Sequence, residues 1–116
     1  MDTESLKALA IEAVEDMKGK DLAVLDVRDR TTMTDYMIIA SGNSNRHVRS
    51  LAENVVTQAK AGGIPAPLVE GGETSDWVLV DLGDVVVHLM LPATREFYDL
   101  ERFWRDAPGL DVAGTE

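Results

Sequence analysis

A chain of 116 residues without a cysteine is the size of one domain and offers no disulfide, no thiolate nucleophile and no zinc site of cysteine type. Its 45% hydrophobic and 28% charged residues suit a packed core, exclude wholesale disorder, and nowhere form the ~20-residue apolar run that a membrane span needs. A formal charge of −10 is the wrong sign for gripping a phosphate backbone, and it is carried unevenly: residues 1–60 sum to −2 and residues 61–116 to −8.

The chain opens on Met1, Asp2 and Thr3 without the basic and apolar segments of a secretory signal, so the cytoplasm is the expected location. Leu6, Leu9, Ala10, Ala13, Val14 and Met17 then recur at three- and four-residue steps, one apolar stripe on a helix that Gly19 stops. Leu22 to Val27 reads as a short aliphatic strand, and Tyr36 to Ala40 as its antiparallel neighbour across a short connection. Ser41, Gly42, Asn43 and Ser44 break that strand. Asn43 or Ser44 caps a helix with Val48, Leu51, Ala52, Val55 and Ala59 inward, ended by Gly62 and Gly63. Ala66 to Glu70 is expected to return as a strand parallel to the second, closing a βαβ unit. Trp77 to Leu82 and Val85 to Met90 flank Gly83 and Asp84, a two-residue hairpin loop. Thr94 caps a last helix through Trp104. The order is αββαβββα, an α/β fold on a mixed five-stranded sheet, with residues 1–107 as a single domain and 108–116 as a flexible acidic tail.

The hairpin carries the functional argument. With Gly83 and Asp84 as the loop, Asp81 faces Val86, Val80 faces Val87, Leu79 faces His88, Val78 faces Leu89 and Trp77 faces Met90. Side chains alternate between faces, so Val78, Val80, Leu82, Val85, Val87 and Leu89 share the core side. The other side gathers Trp77, Leu79, Asp81, Val86, His88 and Met90, apolar at its large end and ionisable at its centre. With Glu70, Glu73, Asp76 and Asp84 close in sequence, that face has the aromatic anchor and acidic rim of a surface for a basic protein partner. The competing arrangement lays the last helix across it and buries Trp77.

Other chemistry is thinner. Ser41 to Ser44 at a helix start can cradle a phosphate, but a cap and tight turn account for the same residues. Asp81 and Asp84 are separated by the turn and do not form a metal-holding pair, while His47 and His88 lack carboxylates at metal-ligand spacing. No catalytic, cofactor-binding or metal residue is therefore assigned. Arg28, Arg30, Arg46 and Arg49 form a small basic group able to touch RNA or to make ion pairs within the chain. Phe97, Tyr98, Leu100, Phe103 and Trp104 suit either the core or a dimer interface.

Several segments in order resemble the ribosomal silencing factor (Iojap-related) family: Asp21, Leu22 and Leu25 to Val27; Thr34 to Tyr36 and Ile39 to Gly42; Ser44 and Arg46; Glu70 and Gly71; Trp77 to Asp81; Gly83 to His88; and Arg95, Phe97, Tyr98, Leu100, Glu101 and Trp104. The resemblance implies a fold related to nucleotidyltransferases, often homodimeric, and a non-enzymatic translational repressor. It implies docking on the large ribosomal subunit at its ribosomal protein number fourteen, which blocks subunit joining. The docking surface carries over to Glu70, Trp77, Asp81, Asp84, His88 and Met90. Met37 and Leu82 stand where the family commonly has aromatic residues. The alternative is a nucleotide-binding or nucleotidyl-transfer enzyme using the Ser41 to Ser44 loop.

Overall fold

The structure, a computed structural model, describes residues 1–71 and 76–106, the last three by backbone only. The expected domain end at 107 and the acidic tail 108–116 lie outside the described residues, as do Glu73 and the Trp104 side chain.

Helix α1 (Thr3–Asp16) begins where the Asp2 carboxylate accepts the Ser5 amide at 2.7 Å. It buries Leu6, Ala10, Ala13 and Val14, the inner part of its apolar stripe. Strands β1 (Lys20–Asp26) and β2 (Tyr36–Ser41) pair antiparallel, and every residue of β2 is buried. Helix α2 (Asn45–Ala61) is capped by Ser44, whose hydroxyl accepts the His47 amide, and turns Val48, Leu51, Ala52, Val55 and Ala59 inward. Asn54 donates to the Ala13 carbonyl at 2.8 Å and ties α2 to α1.

The remaining strands are β3 (Leu68–Glu70), β4 (Trp77–Asp81) and β5 (Val85–Met90), and the sheet order is β1-β2-β5-β4-β3. The sheet is mixed, but the strand parallel to β2 is β5, whereas β3 pairs antiparallel with β4 at the far edge. This corrects the expected βαβ closure through Ala66 to Glu70. Pro65 precedes that stretch and Pro67 lies within it, and neither has a backbone donor, which suits an edge, while β5, apolar except for His88, suits a strand covered on both faces. The β4–β5 register is Trp77 to Met90, Val78 to Leu89, Leu79 to His88, Val80 to Val87 and Asp81 to Val86, as the two-residue loop required. Gly83 takes a φ of +96° there, a conformation open to glycine at little cost.

α1 and α2 cover one face, where Val78, Val80, Leu82, Val85, Val87 and Leu89 join the main core. The opposite face holds a smaller cluster of Val27, Met37, Ile39 and Met90, with Leu25, Trp77 and Leu100 packed on it. Met37 and Leu82 are both buried, so the side chains that depart from the family pattern serve the two cores. The final helix is two: α3 (Pro92–Tyr98) and α4 (Leu100–Asp106), broken at Asp99 with a φ of +50°. Thr94 is not its cap. Pro92 sits at the first turn, where its missing N–H costs nothing, and the left-handed Asp99 stops α3.

Candidate functional site

The second sheet face is organised around one hydrogen bond. The Trp77 indole N–H on β4 donates to His88 Nδ1 on β5 at 2.9 Å, across the strand pair that brings Leu79 opposite His88. Accepting at Nδ1 places the His88 proton on Nε2 and leaves the ring neutral. Burial, at 5% exposure, pushes the His88 pKa down to about 4. Tyr98 then lies against Trp77 with ring centroids 4.8 Å apart, and Phe97 meets Tyr98 edge-on at 4.9 Å. Trp77 is half-buried beneath this stack, while Phe97 keeps 80% of its surface exposed and Tyr98 52%.

An Arg95 clip holds α3 and α4 in place. Its guanidinium donates to both Glu101 carboxylate oxygens at 2.8 and 2.9 Å, and to the Ser41 hydroxyl at 3.0 Å. Between β4 and α3 a groove of about 450 Å³ is lined by Asp76, Trp77, Ala93, Thr94, Phe97 and Tyr98. The chain's own last helices thus cover part of the face and leave an aromatic opening beside Trp77.

The expected docking residues separate on this geometry. Met90 is fully buried and His88 nearly so, which removes both as direct contacts. Met90 packs in the second core and His88 positions the Trp77 ring. Asp84 lies at the hairpin turn, where its carboxylate accepts the Thr3 hydroxyl at 2.9 Å. The length of β4 puts roughly 15 Å or more between it and Trp77, so they do not share one patch. Asp81 is half-buried and accepts the Gly83 amide within the turn. Glu70 is exposed, pairs with Leu79 across β3 and β4, and shares the Trp77 face. The surface that remains consists of Trp77 and its ring stack, Leu79, Val86, the 61%-exposed Leu68, and the carboxylates of Glu70, Asp76 and Asp81. Reading the sequence alone placed Asp76 in the acidic rim but missed that Phe97 and Tyr98 converge on Trp77. The usable signal was Pro92, which starts α3 two residues after β5 and sends it straight back over that strand's end.

The Ser41 to Ser44 loop is committed to the fold. Its Gly42 amide donates to the Met90 carbonyl, the Asn43 amide to His47 Nδ1 and the buried Ser41 hydroxyl accepts from Arg95. A side chain at Gly42 would sit 2.9 Å from the Val48 nitrogen, so that glycine lets α2 start against β2. His47, accepting at Nδ1, donates from Nε2 to the Met17 carbonyl at 2.8 Å and joins the two helix ends. These are the bonds of a cap and tight turn, not of a phosphate cradle. The basic group is also divided: Arg28 closes on Asp26 at 2.6 Å, holding that carboxyl down to about 2, whereas Arg46 lies beyond the other end of β2. Among the described residues, no group of three or more His, Cys, Asp or Glu side chains is placed to hold a metal ion.

Comparison with known proteins agrees with this architecture. Residues 1–116 match the family described as ribosomal silencing factor during starvation. The chain is 49% identical over 104 residues to the ribosomal silencing factor RsfS of Chromobacterium violaceum, covering 90% of this chain and 85% of that protein. A crystal structure of a Chromobacterium violaceum protein superposes with a TM-score of 0.88 at 45% identity, covering 100% of this chain and 98% of that one. The mouse protein named mitochondrial assembly of ribosomal large subunit protein 1 is 35% identical over 99 residues, 83% of this chain and 43% of its own length.

Proposed function

The chain belongs to the ribosomal silencing factor family, whose members are named as regulatory factors and not as enzymes, and on that premise we propose how it silences. It docks on the large ribosomal subunit through a basic ribosomal protein, number fourteen, and its bulk keeps the small subunit from joining, so translation is repressed by occupancy. The observation that supports this reading most is the half-covered sheet face: a ring stack anchored on Trp77, with Asp76 lining its groove and Glu70 exposed on the same face. An aromatic anchor with a charged rim is the composition of a protein interface centre. The name of the mouse relative, which refers to the large ribosomal subunit, supports the same partner.

In this reading the factor acts in the cytoplasm, is a homodimer, and makes at most a minor contact with ribosomal RNA. Among the described residues no helix is long and apolar enough to cross a membrane. Sedimentation with separated ribosomal subunits tests the proposal. The protein should travel with the large subunit alone and lower the yield of joined particles. Trp77→Ala should weaken that binding by about 2 kcal/mol if the ring is an interface hot spot. Migration with neither subunit, or joining unaffected at saturating protein, would overturn it.

A further inference from the structure

We infer that the groove between β4 and α3 is a receptor for one arginine side chain presented by the basic partner. The inference deepens the docking reading, on which it rests for the partner's nature, by naming what enters the site. Three rings meet at this opening: Trp77 and Tyr98 tilted at 47° to each other, and Phe97 set edge-on against Tyr98. An 80%-exposed phenylalanine buries little apolar surface in its own fold, so packing within the chain does not account for it.

Asp76 lines the same groove, is itself exposed, and is held in place by the Asn45 side-chain amide, which donates to one carboxylate oxygen at 2.8 Å. That leaves the second oxygen for an incoming donor. The Trp77 N–H is already taken by His88, so the indole offers a visitor π surface and no hydrogen bond. Aromatic faces beside a carboxylate, on a chain of charge −10, complement a cation and not an apolar or acidic group. A planar, weakly hydrated guanidinium stacks on rings and bonds a carboxylate together, which a compact ammonium does less well. The guanidinium that α3 itself carries, Arg95, is engaged with Glu101 and Ser41.

The test follows the Trp77 indole N–H by proton–nitrogen NMR, assigned with Trp77→Phe, while N-acetyl-arginine methylamide, its lysine counterpart and its neutral citrulline counterpart are titrated into the full chain. Arginine should give a saturable shift, lysine a weaker one and citrulline none. Asp76→Asn, which keeps an acceptor for Asn45, and Phe97→Ala, at an exposed position, should each weaken arginine binding about threefold. Citrulline acting as well as arginine, lysine binding as tightly, or both variants binding arginine unchanged would each overturn the inference.

Sedimentation of the same variants with the large subunit separates this inference from the docking reading. Weaker subunit binding by both supports occupancy of the groove by the partner, and unchanged binding by the double variant overturns it. Arginine binding by an unaltered chain that ignores the subunit would instead refute the docking reading and leave the arginine site standing.

Discussion

Lowering the pH should weaken this fold through one side chain, His88. In the folded protein its Nδ1 accepts from Trp77 and burial holds its pKa at about 4, against an ordinary value of 6.5 when unfolded. Above pH 6.5 the ring is neutral in both states and the arrangement contributes fully. Between pH 6.5 and 4 the unfolded chain takes up a proton that the folded chain refuses, so stability falls as pH falls. The separation of the two values corresponds to about 3 kcal/mol, a large share of the ~5–15 kcal/mol that holds a typical domain together. His88→Asn is the matched control, because its side-chain oxygen can accept from Trp77 while the group no longer titrates. Urea unfolding of both proteins at intervals from pH 7 to pH 4 removes the carboxylates' shared contribution by difference. The native protein should lose about 3 kcal/mol more than the variant over that range. Parallel profiles, or an NMR titration placing the folded ring near 6.5, would refute the reasoning.

Three further substitutions probe other parts of the argument. Leu51→Ala removes a fully buried α2 side chain from the main core and should cost about 3 kcal/mol in chemical unfolding; a loss under about 1 kcal/mol would show that the helix layer can collapse onto the gap. Gly42→Ala drives a methyl group against the Val48 backbone, which cannot swing aside as a side-chain end can, and should destabilise by about 2 kcal/mol; a thermal midpoint equal to the native one would contradict the close approach of β2 and α2. Glu70→Lys reverses an exposed charge on the Trp77 face while leaving the fold intact, so association with the large subunit should slow and lose part of its salt dependence, whereas an unchanged rate at low ionic strength would remove Glu70 from the encounter surface.

Local pattern determined much of this molecule. The three- and four-residue spacing that runs from Leu6 to Val14 and from Val48 to Ala59 made two one-sided helices, because a helix brings such positions onto one stripe. Gly83 and Asp84 between two apolar runs set the hairpin register, because a two-residue loop leaves only one pairing and each pairing assigns every side chain to a face. The segments shared with the family are likewise properties of the chain itself, and they carry its membership. Only the tertiary structure decided which strand lies beside β2, since a parallel neighbour is chosen by burial of whole faces, and that choice excluded the short β3, which follows two prolines, in favour of β5. It also decided the fate of the docking face. His88 and Met90 alternate onto it correctly, yet the Trp77 ring lies on His88 and Leu100 of α4 packs with the Met90 cluster, while α3, begun at Pro92 and clipped by Arg95, leaves Trp77 half-covered beside Asp76, Tyr98 and Phe97. Alternation states which side of a sheet a residue occupies, whereas exposure depends on what later packs against that side, and that packing is a contact between distant parts of the chain.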